Sequence, residues 1–212
     1  MRKIFKKKLK SGSKKWISRN IEDIYVLKKR SHNLRSRSAF KLLEIDRKFK
    51  ILKNNSYVLD LGCAPGGWSQ IIAKKVKNGK ILANDILPMD EISNVTFILG
   101  DFLSDKIQER ISKHFKTKID IVVSDMASNT TGNKDLDSFR TSELCLNAMT
   151  FSRKILNNNG IFLSKFFMGS SFNEIQTKAN VFFKKVVFYK PNSSRKESRE
   201  LYMFCKNIIN YH

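Results

Sequence analysis

The chain has 212 residues, 41% hydrophobic and 28% charged, enough for one sizeable domain with appendages and too apolar for general disorder. Forty-one Lys and Arg against 19 Asp and Glu leave a formal charge of +22, well beyond the roughly 2–8 units that solubility asks of a small domain, so a polyanionic partner is expected, nucleic acid before membrane. Runs such as Ile119–Val123 fall far short of the roughly 20 apolar residues that span a bilayer, and Met1–Lys10 lacks the apolar stretch of a secretory signal.

In chain order, residues 1–50 hold 18 Lys and Arg against 4 acids, and residues 1–34 read as a basic, partly flexible RNA-binding extension. The early lysines also fit a solvated tail. Lys28, Lys29 and Arg30, followed by Arg35 and Arg37, are better explained as phosphate contacts, because the guanidinium fork suits phosphate oxygens. Leu42, Ile45 and Phe49 predict a helix over Ser38–Phe49 with a serine cap.

Five short, near-continuous apolar runs follow, at 57–61, 81–85, 95–99, 119–123 and 161–165. Such runs fit strands buried on both faces. Helix-length segments lie between them at 68–77, 104–115 and 138–156, the last stopped by Asn157–Gly160. This alternation predicts right-handed crossovers and a doubly wound sheet. A helix over 172–183 and two strands, 186–189 and 201–204, joined by the loop 190–199, complete an antiparallel hairpin. Residues 35–206 are therefore expected to form a single α/β domain, with 207–212 as a tail.

The first strand runs into Asp60-Leu-Gly62-Cys63-Ala-Pro65-Gly66-Gly67-Trp68, at the strand end where open α/β sheets bind ligands. Gly62, Pro65, Gly66 and Gly67 are the backbone positions expected against that ligand. Their spacing is not the diphosphate-cradling G-x-G-x-x-G. Asp85, Asp101 and Asp125 end or follow the next three strands, and Asp60 sits near the end of the first. Acids at successive strand ends repel a diphosphate and suit a ligand with ribose hydroxyls, an amine and positive charge. S-adenosylmethionine offers all three. Cys63, Cys145 and Cys205 form no CxxC pair, which fits buried thiols in a reducing compartment and argues against a disulfide framework or a metal site.

With these pieces, the sequence resembles the FtsJ/RlmE family of ribosomal RNA ribose 2′-O-methyltransferases. The resemblance runs from about Lys15 to Phe204 and is carried by Arg35–Lys41, Asp60–Gln70, Asp85–Asp90, Gly100–Phe102, Ser124–Ala127, Lys165–Gly169, Lys190–Arg195 and Ser198–Tyr202. It implies a Rossmann-like fold with a mostly parallel seven-stranded sheet, a C-terminal antiparallel hairpin and helices on both faces. It also implies a catalytic tetrad of Lys41, Asp125, Lys165 and Glu200, and S-adenosylmethionine held at Gly66, Trp68, Asp85, Asp101 and Asp125. Arg195 joins the expected RNA contacts. Two positions depart from the family pattern: Ser128 stands where the family has Pro, and Met168 where it has Gln.

A ribose 2′-hydroxyl is a poor nucleophile and needs its proton removed. Lysine is mostly protonated at neutral pH, but burial and a second ammonium disfavour its charged form. Lys41 would in this way make Lys165 the base, with Asp125 orienting it and Glu200 bonding Lys41 or a ribose hydroxyl. The implied substrate is a uridine in the A-loop of 23S-type RNA, on the assembled large subunit. The expected protein is a monomer with no membrane association. Its expected location is the cytoplasm, or a mitochondrion or other organelle given an N-terminus free of acids until Glu22. Transfer RNA, an mRNA cap, or RNA binding without catalysis are the alternatives.

Overall fold

In the computed structural model, residues 33–129, 131–195 and 197–210 are described; the predicted contacts Lys28, Lys29 and Arg30 lie outside them. Seven strands form one sheet in the order β3-β2-β1-β4-β5-β7-β6. They are β1 (Tyr57–Leu61), β2 (Lys80–Asp85), β3 (Val95–Leu99), β4 (Ile119–Ser124), β5 (Leu156–Phe167), β6 (Phe183–Tyr189) and β7 (Glu200–Ile208). The first five run parallel, and β7 pairs antiparallel with both β5 and β6. Chain direction across the sheet reverses between β1 and β4, which opens a crevice at their carboxyl ends.

The predicted strands carry side chains alternately to two cores. Val58, Ile81, Ile121, Leu163 and Tyr202 face α1 (Ser38–Phe49) and α2 (Gly67–Lys75). Leu59, Leu82, Val122, Phe162 and Met203 face α3 (Asp105–Phe115), α4 (Lys134–Ile155) and α5 (Phe172–Phe182). Both faces of β1 and β4 are therefore covered, and their sequences are apolar without alternation for that reason. Helix α3 shows the simplest pattern: Ile107, Ile111 and Phe115, four apart, all enter the core.

Several boundaries differ from the sequence expectation. Ser38 is the first residue of α1 rather than its cap; the cap position is Arg37, with helical dihedrals and no capping bond from its side chain, which donates instead to the Ser193 carbonyl at 2.9 Å. Helix α4 begins four residues before Ser138, because Asn133 accepts the amides of Asp135 and Leu136. The Asn157–Gly160 stretch does not terminate α4 as a loop. The chain turns extended at Leu156 and these residues belong to β5, with Asn157 Nδ2 donating to Asp120 Oδ1 at 2.8 Å and a register shift against β4. Strand β7 continues to Ile208, which pairs with Phe183 and is buried.

Candidate active site

A cleft of about 280 Å³ opens at the carboxyl ends of β1 to β4. Its floor is the loop after β1, held close by local chemistry. Gly62 has φ +73°, and a Cβ there would come within 2.7 Å of the Met126 backbone nitrogen, so only glycine lets the loops after β1 and β4 approach this closely. Asp85, at the end of β2, fixes the same loop, accepting the Ala64 amide on Oδ2 at 2.8 Å and the Leu87 amide on Oδ1 at 2.9 Å. Asp101 accepts the Leu103 amide on Oδ1 at 2.9 Å.

Among the described residues, the cleft lining contains Asp85, Asp101 and Asp125 and no Lys or Arg. Ile86, Leu87, Phe102, Met126 and Leu144 supply apolar walls. Carboxylates beside apolar walls suit a cationic ligand that carries hydroxyls and a flat ring, and they disfavour a diphosphate. Ile86 and Leu87 are more than half exposed. The sequence signal for these two was a pair of large apolar residues immediately after a strand-end acid, where a loop would ordinarily be polar.

Two ion pairs stand at the carboxyl end of β5. Lys165 Nζ lies 2.9 Å from Asp125 Oδ1 and donates to the Asp125 backbone carbonyl at 2.5 Å. Lys41 Nζ, from α1, lies 2.6 Å from Glu200 Oε1 at the start of β7. The register explains the convergence. Lys165 pairs directly with Tyr202 across β5 and β7, and Glu200 precedes Tyr202 by two, so all three side chains leave the same face of the sheet, the face that α1 covers. All four charged side chains are only 10–16% exposed, so their attractions are screened far less than those of surface pairs. Each lysine thus has its own carboxylate.

Tyr202, assigned no role from sequence, joins the two pairs. Its hydroxyl donates to Asp125 Oδ1 at 2.9 Å, and its ring centroid lies 5.9 Å from Lys41 Nζ. Burial, then the neighbouring Asp125 and Glu200 charges, push its pKa well above the usual phenol range, so it remains a donor.

The remaining expected residues lie around this centre. Asp60 does not line the cleft; it is buried beneath the loop, accepting the Ser69 hydroxyl at 2.6 Å, and burial raises its pKa to about 7. Trp68 is buried too, donating Nε1 to the Ser38 carbonyl at 2.9 Å and packing on Tyr202. Pro65, which follows a cis peptide bond, Gly66 and Gly67 carry the chain from the loop into α2. The Arg35 guanidinium bonds the carbonyls of Asp90 at 2.6 Å and Glu91 at 2.7 Å, tying down the segment after β2 instead of presenting itself outward. Arg37 and Arg195 do come together, in a hollow that also holds Lys41, Ser198, Glu197 and Glu200. Burial and then Arg195 lower the Arg37 pKa. Met168, one of the two departures from the family pattern, is 42% exposed just past β5; Ser128 reaches the Thr141 hydroxyl at 3.5 Å. The three cysteines are buried free thiols.

The family described as FtsJ-like methyltransferase matches residues 34–208. The chain is similar to the ribosomal RNA large subunit methyltransferase E of Pelagibacter ubique (strain HTCC1062), 51% identical over 194 residues that cover 92% of this chain and 96% of the relative. The protein of the same name from Rickettsia akari (strain Hartford) is 44% identical over 207 residues, covering 95% and 91%. Among solved structures, a Plasmodium falciparum protein assigned as a ribosomal RNA methyltransferase matches with a TM-score of 0.75 and 36% identity, covering 84% of this chain and all of that one.

Proposed function

The chain belongs to the FtsJ-like methyltransferase family, and on that footing we propose that it uses S-adenosylmethionine to methylate a ribose 2′-oxygen of large-subunit ribosomal RNA. The target is a uridine of the A-loop, modified on the assembled subunit. The observation that carries this reading is the pair of shielded lysine–carboxylate contacts, Lys165–Asp125 and Lys41–Glu200, beside a cleft whose described lining has three carboxylates and no cation. Relatives at 51% and 44% identity bear the name of a large-subunit RNA methyltransferase, and the charge of +22 suits such a substrate.

The cleft residues fit the cofactor. Asp85 would accept its ribose hydroxyls, Asp101 the adenine amine, and Ile86, Leu87 and Met126 would flank the ring. Asp125 would face the positive charge. When bound, S-adenosylmethionine supplies an electrophilic methyl group. As the base, Lys165 is the neutral amine, with two N–H donors and one lone pair; Asp125 takes both donors, at its carboxylate and its carbonyl, and the lone pair is left for the ribose hydroxyl. Lys165 Nζ aligns that oxygen and takes its proton, becoming the ammonium as the oxygen bonds the methyl carbon. Asp125 fixes Lys165 at both its carbonyl and its carboxylate, and Tyr202 fixes Asp125. Lys41 and Glu200 hold the flanking ribose, while Arg37 and Arg195 receive a phosphate whose arrival relieves their mutual repulsion. Residues 1–34 add non-specific attraction to the RNA.

Mapping ribose methylation in large-subunit RNA tests the reading. Cells lacking the chain should lose one 2′-O-methyl group, restored by the parent chain and not by Lys165→Ala. An unaltered methylation map would overturn it.

A further inference from the structure

The middle of the chain is nearly neutral in sequence, with 16 Lys and Arg against 13 acids over residues 51–183, yet the fold does not spread that charge evenly. A groove of about 940 Å³ lies at the amino ends of β1, β4 and β5, opposite the candidate active site. Its cations are Lys53, Lys118, Arg153 and Lys206, and its carboxylate is Asp120. Lys53 also lines an adjoining hollow with Arg47, Lys50, Lys75 and Asp46. One basic belt therefore runs from the end of α1, under the sheet, to the end of α4.

The two acids of this belt are committed to the protein interior. Asp46 is buried, accepting the Leu52 amide at 2.8 Å and the Lys75 ammonium. Asp120 accepts the Tyr57 amide and the Asn157 side-chain amide, each at 2.8 Å. Asp120 anchors strands and Asp46 the segment after α1, and Lys53 and Lys50 stay exposed to solvent. Beside the cations, the groove is lined by side-chain amides, among them Asn157, Asn159, Asn207 and Asn210, with Ser56 and strand-end aliphatic residues such as Ile121 and Leu156. Amides both donate and accept, so they suit phosphates, ribose hydroxyls and base edges together. A bilayer surface would instead call for a flat or convex face with apolar residues to insert.

We infer that this groove is a second RNA-binding site, holding the phosphate backbone of a segment of the large-subunit RNA away from the methylated nucleotide. The inference rests on the large-subunit reading above. Strand β1 has five residues, which at ~3.3 Å each separates the two sites by roughly 15 Å. A folded RNA spans that distance easily.

The test uses the full chain and large subunits purified from cells that lack it, with Lys53→Glu/Lys206→Glu and the milder, more exposed pair Lys50→Gln/Lys53→Gln, each first shown to melt like the parent. Affinity is measured by sedimentation across a salt series. Each charge-reversed or neutralised pair should flatten the slope of log affinity against log salt by about 1.4–1.8, the value for two phosphate contacts. S-adenosylmethionine affinity and the methylation rate at saturating subunit should stay at parental values. Parental slopes in both pairs would overturn the inference. So would parental subunit binding with lost binding to phosphatidylserine vesicles, which would assign the groove to a membrane. Failure of the proposed function would look different: subunit binding with a groove-dependent salt slope, and no methyl transfer by the parent.

Discussion

Tyr202 donates its hydroxyl to the same Asp125 oxygen that receives the Lys165 ammonium, at 2.9 Å in both cases. One carboxylate oxygen thus ties a fully buried phenol on β7 to the charged end of β5. Tyr202→Phe should keep the packing against Trp68 and remove only the hydroxyl. The expected cost is about 1 kcal/mol of stability, the net value of an ordinary hydrogen bond, together with a fall of several-fold in single-turnover rate as Asp125 gains freedom. Urea unfolding and single-turnover kinetics check the two parts; an unchanged rate would show that Lys165 alone positions Asp125.

Asp60 makes stability depend on pH. Its carboxyl is raised to about 7, first by burial, with the charges of Asp125 and Asp85 adding to the shift against the bond from Ser69. The folded state therefore binds this proton more tightly than the unfolded chain, where the ordinary value is about 3.9. The stabilising contribution is full below that unfolded value and is lost as pH rises through about 7. Asp60→Asn, which keeps an acceptor for Ser69, should stabilise the protein above that range by an amount on the order of a few kcal/mol. Urea midpoints measured across that interval should fall with pH in the parent and fall less in the variant.

The parallel core was legible in sequence because continuous apolar runs mark strands covered on both faces, and Asp85, Asp101, Asp125 and Lys165 sit at the ends of those runs. Lys41, inside α1, and Glu200 came only from the family resemblance. What stayed hidden depended on register. The four residues from Asn157 to Gly160 read as polar turn chemistry until Asp120 is seen to hold Asn157 in a strand. Trp68 lay in a motif associated with the cofactor, but its position one residue into α2 turns it onto Ser38 and Tyr202. Arg35 shows the same limit, since nothing local reveals that its guanidinium meets the Asp90 and Glu91 carbonyls more than fifty residues away.

The two cofactor-facing acids should respond differently to removal. Asp101 supports a single amide within its own loop, whereas Asp85 holds both the Ala64 and Leu87 amides. Asp101→Ala should weaken S-adenosylmethionine binding by roughly 1.5–3 kcal/mol, the range for a charge-assisted bond. Asp85→Ala should cost more, because the loop after β1 also loses its anchor, and Asp85→Asn should recover part of the loss. Calorimetric titration of the three variants checks the order; parental affinity in both alanine variants would remove these acids from the site.

The last prediction separates chemistry from binding at the two lysines. Lys165→Ala should abolish methyl transfer and leave cofactor and RNA affinities near parental, because the proposed role of Nζ is realised in the transition state. Lys165→Arg should be nearly as inactive, since a guanidinium keeps the ion pair with Asp125 but cannot shed a proton at working pH. Lys41→Met removes the partner of Glu200 and strands a largely shielded carboxylate, so it should weaken RNA binding as well as slow the reaction. Glu200→Gln, which leaves Lys41 with a neutral acceptor, should be the milder of that pair. Single-turnover rates at saturating RNA, set beside RNA affinities from filter binding, distinguish these effects. If Lys165→Arg retains most of the parental rate, Lys165 serves only as a positive clamp and the proton leaves by another route.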